Sequence, residues 1–343
     1  MKKSAVYYFC PDFREAVGGV KVMYRHVDIL NNNNIQSYIL HSNKGFRCDW
    51  FRNETPIAYV GQTKFNPDDT IVFPEFHLAF FTDFHNPSGI RLRVNRFVAK
   101  NRHKYYVNEL SKAPVRKVVF NQNAYLTFKG FEFFRDYDIP YLRSDVVATI
   151  CVSDDNFEHL SYAFPQMKLY RVRLSSGSKE FRPQDSKKRQ IAFMVNKSWD
   201  DLNQVLHLMK VRKISEGFDL IPIRKKTENE VAQILRDSLI FLSFGKEEGF
   251  SLPPFEAMLC GCVVIGYHGG GGREYFKPEF SYPVESGDII GFVRKIEEAV
   301  SFHRLAPAGI SDMGRKASEY ISSHYNARIE TEDVVKTWVS ILG

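Results

Sequence analysis

The chain is poor in cysteine and tryptophan, with five and three of its 343 residues. The cysteines (Cys10, Cys48, Cys151, Cys260, Cys262) are odd in number and lack paired metal-ligand spacing. That argues against a disulfide scaffold and a thiolate metal site, and leaves buried thiols in a reducing compartment as the plain reading. No apolar run approaches the roughly 18–20 residues that cross a bilayer. The first ten residues, MKKSAVYYFC, start basic, but their apolar stretch is too short for a signal peptide and reads as a first strand. Internal repeats and low-complexity tracts are absent as well.

What is present is an ordinary globular composition, 44% hydrophobic and 25% charged. The length is enough for a sizeable core and favours two domains over one. A formal net charge of +7 points to anionic partners: nucleotides, phospholipids or nucleic acid. The stretch RLRVNRFVAKNRHK, Arg91 to Lys104, carries six Lys and Arg residues and no acid. It reads as a solvated helix face, or as a surface for an anionic membrane or a phosphate-bearing acceptor. Nucleic acid is the weakest partner, because no helix-turn-helix, zinc or single-strand-binding pattern accompanies the charge.

Apolar runs mark strands at residues 4–10, 35–40, 57–60, 70–73, 105–107, 118–120 and 146–152. A helix carries Val20, Met23, Tyr24, Val27 and Leu30 at helical spacing. Residues 123–141 are rich in aromatics and resist assignment. Between Pro165 and Pro183 the chain turns polar, which marks a link. Beyond it, strands at 191–195, 220–223, 239–244 and 262–267 alternate with helices near 200–209, 228–237 and 253–259. Three more helices follow, to residue 341. Strands alternating with helices predict parallel, doubly wound sheets, with ligands outside the carboxyl ends of the strands.

The most informative stretch is FLSFGKEEGFSLPPFEAMLCGCVVIGYHGGGGREYF, residues 241–276. A buried strand ends at Phe244, and Gly245 to Phe250 turn the chain. Pro253 or Pro254 then suits the first turn of a helix, where an amide donor is not needed. Glu248 lies in the turn and Glu256 on the helix, eight residues on. Carboxylates accept two hydrogen bonds each, which suits them to vicinal hydroxyls of a sugar or ribose. A helix-capping acid plus a solvated one is the competing reading. After the next strand come four successive glycines, Gly269 to Gly272, then Arg273 and Glu274. Such a run implies a sharp turn or the close approach of a ligand.

The run EGFSLPPFEAM, Glu248 to Met258, with Gly261 after it, resembles the EGFGLPPLEAMACG signature of the retaining GT-B glycosyltransferases of family 4 (glycosyl transferases group 1). The resemblance is sharp over about residues 190–290. It implies an α/β protein of GT-B fold, with two Rossmann-like doubly wound domains facing across a cleft. The domains would be 1–165 on the acceptor side, a 166–187 linker and a 188–325 donor domain. A 326–343 helix would pack back on the first domain. Glu248 should contact the donor sugar and Glu256 the ribose. The amides of Gly249, Phe250 and Ser251 should line the diphosphate, and Gly270, Gly271 and Glu274 the nucleotide pocket. Gly18 and Gly19, before the first long helix, match the family's glycine loop, which approaches the donor phosphates.

The family's basic pair after the first strand of the donor domain reads here as Asn196-Lys197. Asn196 takes the arginine's place, and Lys197, Lys246 or Arg273 supplies the cation, with Lys197 preferred. The family's histidine in the first domain is replaced by Asn121-Gln122-Asn123, with His77 as a stand-in. The implied activity is transfer from a nucleoside diphosphate sugar to a hydroxyl acceptor, a glycan or a lipid-linked molecule. Glycan or cell-surface polysaccharide synthesis is its expected setting, with no cofactor and no metal. The expected location is the cytoplasm, with peripheral contact at the inner membrane face open. A sugar-nucleotide epimerase, a phosphorylase or a non-catalytic carbohydrate-binding relative are the alternatives.

Overall fold

A computed structural model describes residues 4–81, 99–131, 138–184 and 186–343. The chain divides into two compact units, Met1–Arg173 with Glu330–Gly343, and Leu174–Ile329. Most of the basic stretch from Arg91 lies outside the described residues, as do residues 132–137 of the aromatic-rich segment.

The first unit is built on strands β1 (Val6–Phe9), β2 (Ser37–His41), β3 (Ile57–Tyr59), β4 (Thr70–Pro74), β5 (Arg116–Asn121), β6 (Val146–Cys151) and β7 (Leu169–Arg171). They form one sheet in the order β3-β2-β1-β4-β5-β6-β7, with every pairing parallel. All four residues of β1, and all five of β4, are buried, as expected of strands covered on both faces. Helices α1 (Gly18–Asn32), α2 (Ala99–Ser111) and α3 (Asp154–Ala163) are the main described crossovers. The strand order reverses between β1 and β4.

Tyr105 to Val107, expected as a strand, belong to α2. Three apolar residues are too few to show a period. Val107 and Leu110, one helical turn apart, are both buried. Of the segment read as a link, Leu169–Arg171 form the edge strand β7. The C-terminal stretch is tied into the first unit through specific polar contacts. Trp338 Nε1 donates to Tyr8 Oη at 3.0 Å, Arg25 pairs with Glu330 at 2.7 Å and Arg173 with Asp333 at 2.8 Å.

The second unit has five parallel strands in the order β12-β11-β10-β8-β9. They are β8 (Lys188–Met194), β9 (Asp219–Ile223), β10 (Ser238–Ser243), β11 (Val263–Tyr267) and β12 (Ser281–Val284). The helices are α4 (Trp199–Val211), α5 (Glu228–Asp237), α6 (Leu252–Leu259), α7 (Ile289–Leu305) and α8 (Pro307–His324). Its core joins Ile191, Ile240, Leu242 and Ile265 of the sheet to Val205, Met209, Phe292 and Ile296 of the helices. Here the strand order reverses between β8 and β10. The loops leaving these two strands therefore flank the crevice where ligands of open α/β sheets bind.

All five cysteines are free and buried. Among the described residues, no helix is long and apolar enough to cross a membrane.

Candidate active site

The loop after β8 and the loop after β10 are drawn together at the reversal point. Ser198, in the left-handed conformation (φ 41°), donates its hydroxyl to Phe244 O at 2.7 Å. Next to it, Lys197 Nζ pairs with Glu248 Oε1, with the two side chains 40% and 22% exposed. Lys246, two residues before Glu248, pairs instead with Asp201 at 2.8 Å, and Tyr267 Oη donates to the same carboxylate at 2.7 Å. Burial opposes the ionisation of Asp201. The bonds from Lys246 and Tyr267 outweigh it and hold its carboxyl below the usual range. Of the three cations weighed from sequence, Lys197 is the one joined to Glu248, while Arg273 and Asn196 are exposed.

Glu248 is fixed by its backbone. Its amide donates to Gly269 O at 2.8 Å, and Gly271 N donates to its carbonyl at 3.0 Å. The glycine run thus forms a single parallel bridge to Glu248, through Gly270. A Cβ on Gly271 would lie 1.9 Å from Gly249 O and 2.8 Å from Phe250 N. Close backbone approach is therefore the reason for glycine there, and the approaching group is the chain's own turn.

Helix α6 begins after Ser251, which is left-handed at φ 62° and has no side-chain cap bond. Pro253 and Pro254 supply no amide hydrogens, so Leu252 and Phe255 carry those of the first turn. Tyr275 Oη lies 2.9 Å from Phe250 O and 2.6 Å from Ser251 O. Phe250 is buried against Phe255, Tyr275 and Tyr325, so its ring serves packing and only its backbone can meet a ligand. Glu256 is half-buried on α6. Glu274 Oε1 accepts from Tyr325 Oη at 2.9 Å.

In the first unit, Gly18 and Gly19 open α1 after Val17, which offers no side-chain cap. Asn121 does not reach them. It is buried and donates to Thr127 Oγ1 and Tyr141 Oη. Gln122 does, its Nε2 donating to Gly19 O at 3.2 Å. The backbone of Gln122 donates to Glu75 Oε2 at 3.1 Å. Burial pushes the Glu75 carboxyl up to about 7, although backbone amides of Gln122, Glu75 and Asn123 point at it. The amides Asn121-Gln122-Asn123 were expected as a group, and Gln122 is the one that reaches the glycines, whereas Glu75 had no expected role. The available signal was an acid directly after a buried strand, in Phe73-Pro74-Glu75.

His77 is buried, and its Nε2 lies 2.8 Å from His103 Nε2. Burial first, and then its histidine neighbour, hold it well below the usual imidazole range, so it suits a structural pair better than a base at a sugar. Burial also lowers His103 to about 4 and His26 to about 3. Histidines with depressed folded pKa values contribute stability in full above about pH 6.5 and lose it as the pH falls toward 4. Glu75 acts with the opposite sign. Its contribution is complete below about pH 4.5 and lost as the pH rises through 7. The three histidines act in the same direction and Glu75 offsets only part of it, so the first unit should lose stability as the pH falls from 6.5 to 4.5. Urea unfolding at pH 7.5, 6 and 5 checks this. A flat or rising stability toward pH 5 would contradict it.

Residues 186–307 match the sequence profile of the family described as glycosyl transferases group 1. The second unit carries a glycosyl transferases group 1 domain. The chain is also 29% identical over 92 residues to an alpha-1,6-glucosyltransferase of Actinobacillus pleuropneumoniae serotype 7 (strain AP76). That match covers 26% of this chain and 28% of the relative's length. The structure resembles HepE of Anabaena in complex with UDP, with a TM-score of 0.63, 9% identity and 98% and 100% of the two chains covered. It also resembles a Staphylococcus aureus TarM variant in complex with UDP and other ligands. There the TM-score is 0.53 and the identity 13%, and 81% of this chain but 56% of TarM is covered. Two parallel α/β sheets with these neighbours make the fold GT-B. In the group 1 domain, the Lys197–Glu248 pair sits where β8 and β10 diverge. Among the described residues, no three His, Cys, Asp or Glu side chains are grouped to hold a metal ion.

Proposed function

We propose that this chain is a retaining glycosyltransferase of family 4 that moves a sugar from a nucleoside diphosphate sugar to a hydroxyl acceptor. The observation that carries the reading is the Lys197–Glu248 pair at the strand reversal of the group 1 domain. A cation and a carboxylate held side by side match the two needs of the donor: charge on the diphosphate and hydroxyls on the sugar. The UDP bound by HepE and TarM supports a nucleotide donor.

In the reaction, the anomeric carbon gains oxocarbenium character while the leaving diphosphate gains negative charge. Lys197 would neutralise that charge, and preorganised donors are most effective where charge develops. Glu248 would release Lys197 to the diphosphate and accept the sugar hydroxyls. Glu256 and Glu274 would serve the nucleotide, with the backbone of Gly249 to Ser251 and of Gly270-Gly271 around it. Asn196 would contact it from the β8 loop. Gly18 and Gly19 would offer the first amides of α1 to an anionic group. The leaving phosphate takes the acceptor's proton on the same face, which retains configuration and requires no protein base. A glycan or lipid-linked acceptor, in cell-surface polysaccharide synthesis, fits this chemistry. The setting is the cytoplasm, with peripheral contact at an anionic membrane.

Thermal shifts with UDP-, GDP-, ADP- and dTDP-sugars test the reading. At a hundredfold excess over Kd the right donor should add about 2.7 kcal/mol to stability, a rise of several degrees. Lys197→Ala should remove most of that shift. No stabilisation and no hydrolysis with any of the four would rule the reading out.

A further inference from the structure

The two loops at the strand reversal exchange charges in both directions. The segment after β8 contributes Lys197 and Asp201, and the segment after β10 contributes Lys246 and Glu248. Each lysine pairs with the acid of the other segment: Lys197 with Glu248, and Lys246 with Asp201. A hydrogen bond from the Ser198 hydroxyl to Phe244 O joins the same two segments. The two pairs differ in their surroundings. Asp201 is 14% exposed and also takes the hydroxyl of Tyr267, a residue fully buried in the core. Glu248 is the more open acid, and its partner Lys197 is the cation assigned above to the diphosphate.

We infer that Asp201 and Lys246 are positioning residues, a latch that holds the two loops in register while an incoming diphosphate separates Lys197 from Glu248. The inference rests on the donor reading. Without the latch, occupation of Lys197 by phosphate would remove an ionic link between the loops when both must hold their places. Asp201 also keeps Lys246, two residues from Glu248, away from that carboxylate, so Glu248 has one cation to release. Misplacement of either group lowers the rate more than it lowers binding, because alignment matters most in the transition state.

The test uses the full chain with UDP-glucose, or whichever of the four nucleotide sugars is hydrolysed fastest. Lys246→Met and Asp201→Asn keep the bulk, and Asp201→Asn can still accept from Tyr267. Each should lower kcat about three- to tenfold, with KM and the affinity for UDP changed less than about twofold. The double variant should be no worse than either single one, since both break the same link. Lys246→Arg should recover kcat to within about twofold. The melting temperature should move by no more than about 2 °C. If both variants keep wild-type kcat while Lys197→Ala and Glu248→Gln are impaired, the latch is refuted and the donor reading survives. A loss of kcat that follows a loss of melting temperature refutes it too. If Lys197→Ala and Glu248→Gln are also fully active, the donor reading itself is wrong.

Discussion

Glu248→Gln should slow transfer about 10- to 150-fold while UDP binds as tightly as before, or up to about fivefold more tightly. The two effects have separate causes. A carboxylate that grips sugar hydroxyls contributes charge-assisted hydrogen bonds, each of about 1.5–3 kcal/mol, and the amide weakens them. In the free protein the same carboxylate neutralises Lys197. Its removal frees that cation for the diphosphate, a gain of the size of an exposed ion pair, about 0.2–1 kcal/mol. The backbone of Glu248 is held by Gly269 and Gly271, so the melting temperature should barely change. Single-turnover kinetics and UDP titration separate the effects. A variant that binds UDP much more weakly and keeps its turnover would place Glu248 on the phosphate side and overturn the assignment.

Gly271→Ala should be among the most damaging single methyl groups in the second unit. Its Cβ would overlap Gly249 O at 1.9 Å, with both partners main chain, so no flexible side chain can give way. Relief requires separating the two segments, which breaks the bond from Gly271 N to Glu248 O and displaces Glu248. Overpacking of this kind costs about 1–3 kcal/mol, with further loss from the broken pairing. A fall in melting temperature of several degrees should accompany a loss of transfer at least as large as that of Glu248→Gln. Gly287→Ala is the control for backbone strain. Its φ is +90°, but nothing lies within 4 Å of its added Cβ, so it should cost stability and leave turnover near normal. Normal turnover and stability in Gly271→Ala would show that the glycine run does not fix Glu248.

The second unit was open to reading because its signals are local. Glu248, the two prolines, Glu256 and Gly261 fall within one turn and one helix, and strand-helix periods in residues 191–267 are long enough to recognise. The first half was harder. Tyr105 to Val107 resembled a strand because three apolar residues carry no period, whereas burial of Val107 and Leu110 on one face makes them helical. Asn121, Gln122 and Asn123 were given together because all three are amides at a strand end. Only the packing around Thr127, Tyr141 and Gly19 distinguishes them.

The class of fold, the turn that carries Glu248 and the need for glycine at residues 269–272 were already legible in the order of residues. These depend on chain-local geometry: turn chemistry, helix starts and the alternation of apolar residues. Tertiary structure alone decided which lysine meets Glu248, that Lys246 goes to Asp201 instead, and what the glycines approach. Lys197 and Glu248 lie 51 residues apart and meet only because β8 and β10 are neighbours with diverging loops. Such pairings depend on strand order, and strand order follows from burying a whole sheet at once rather than from any segment's own preference.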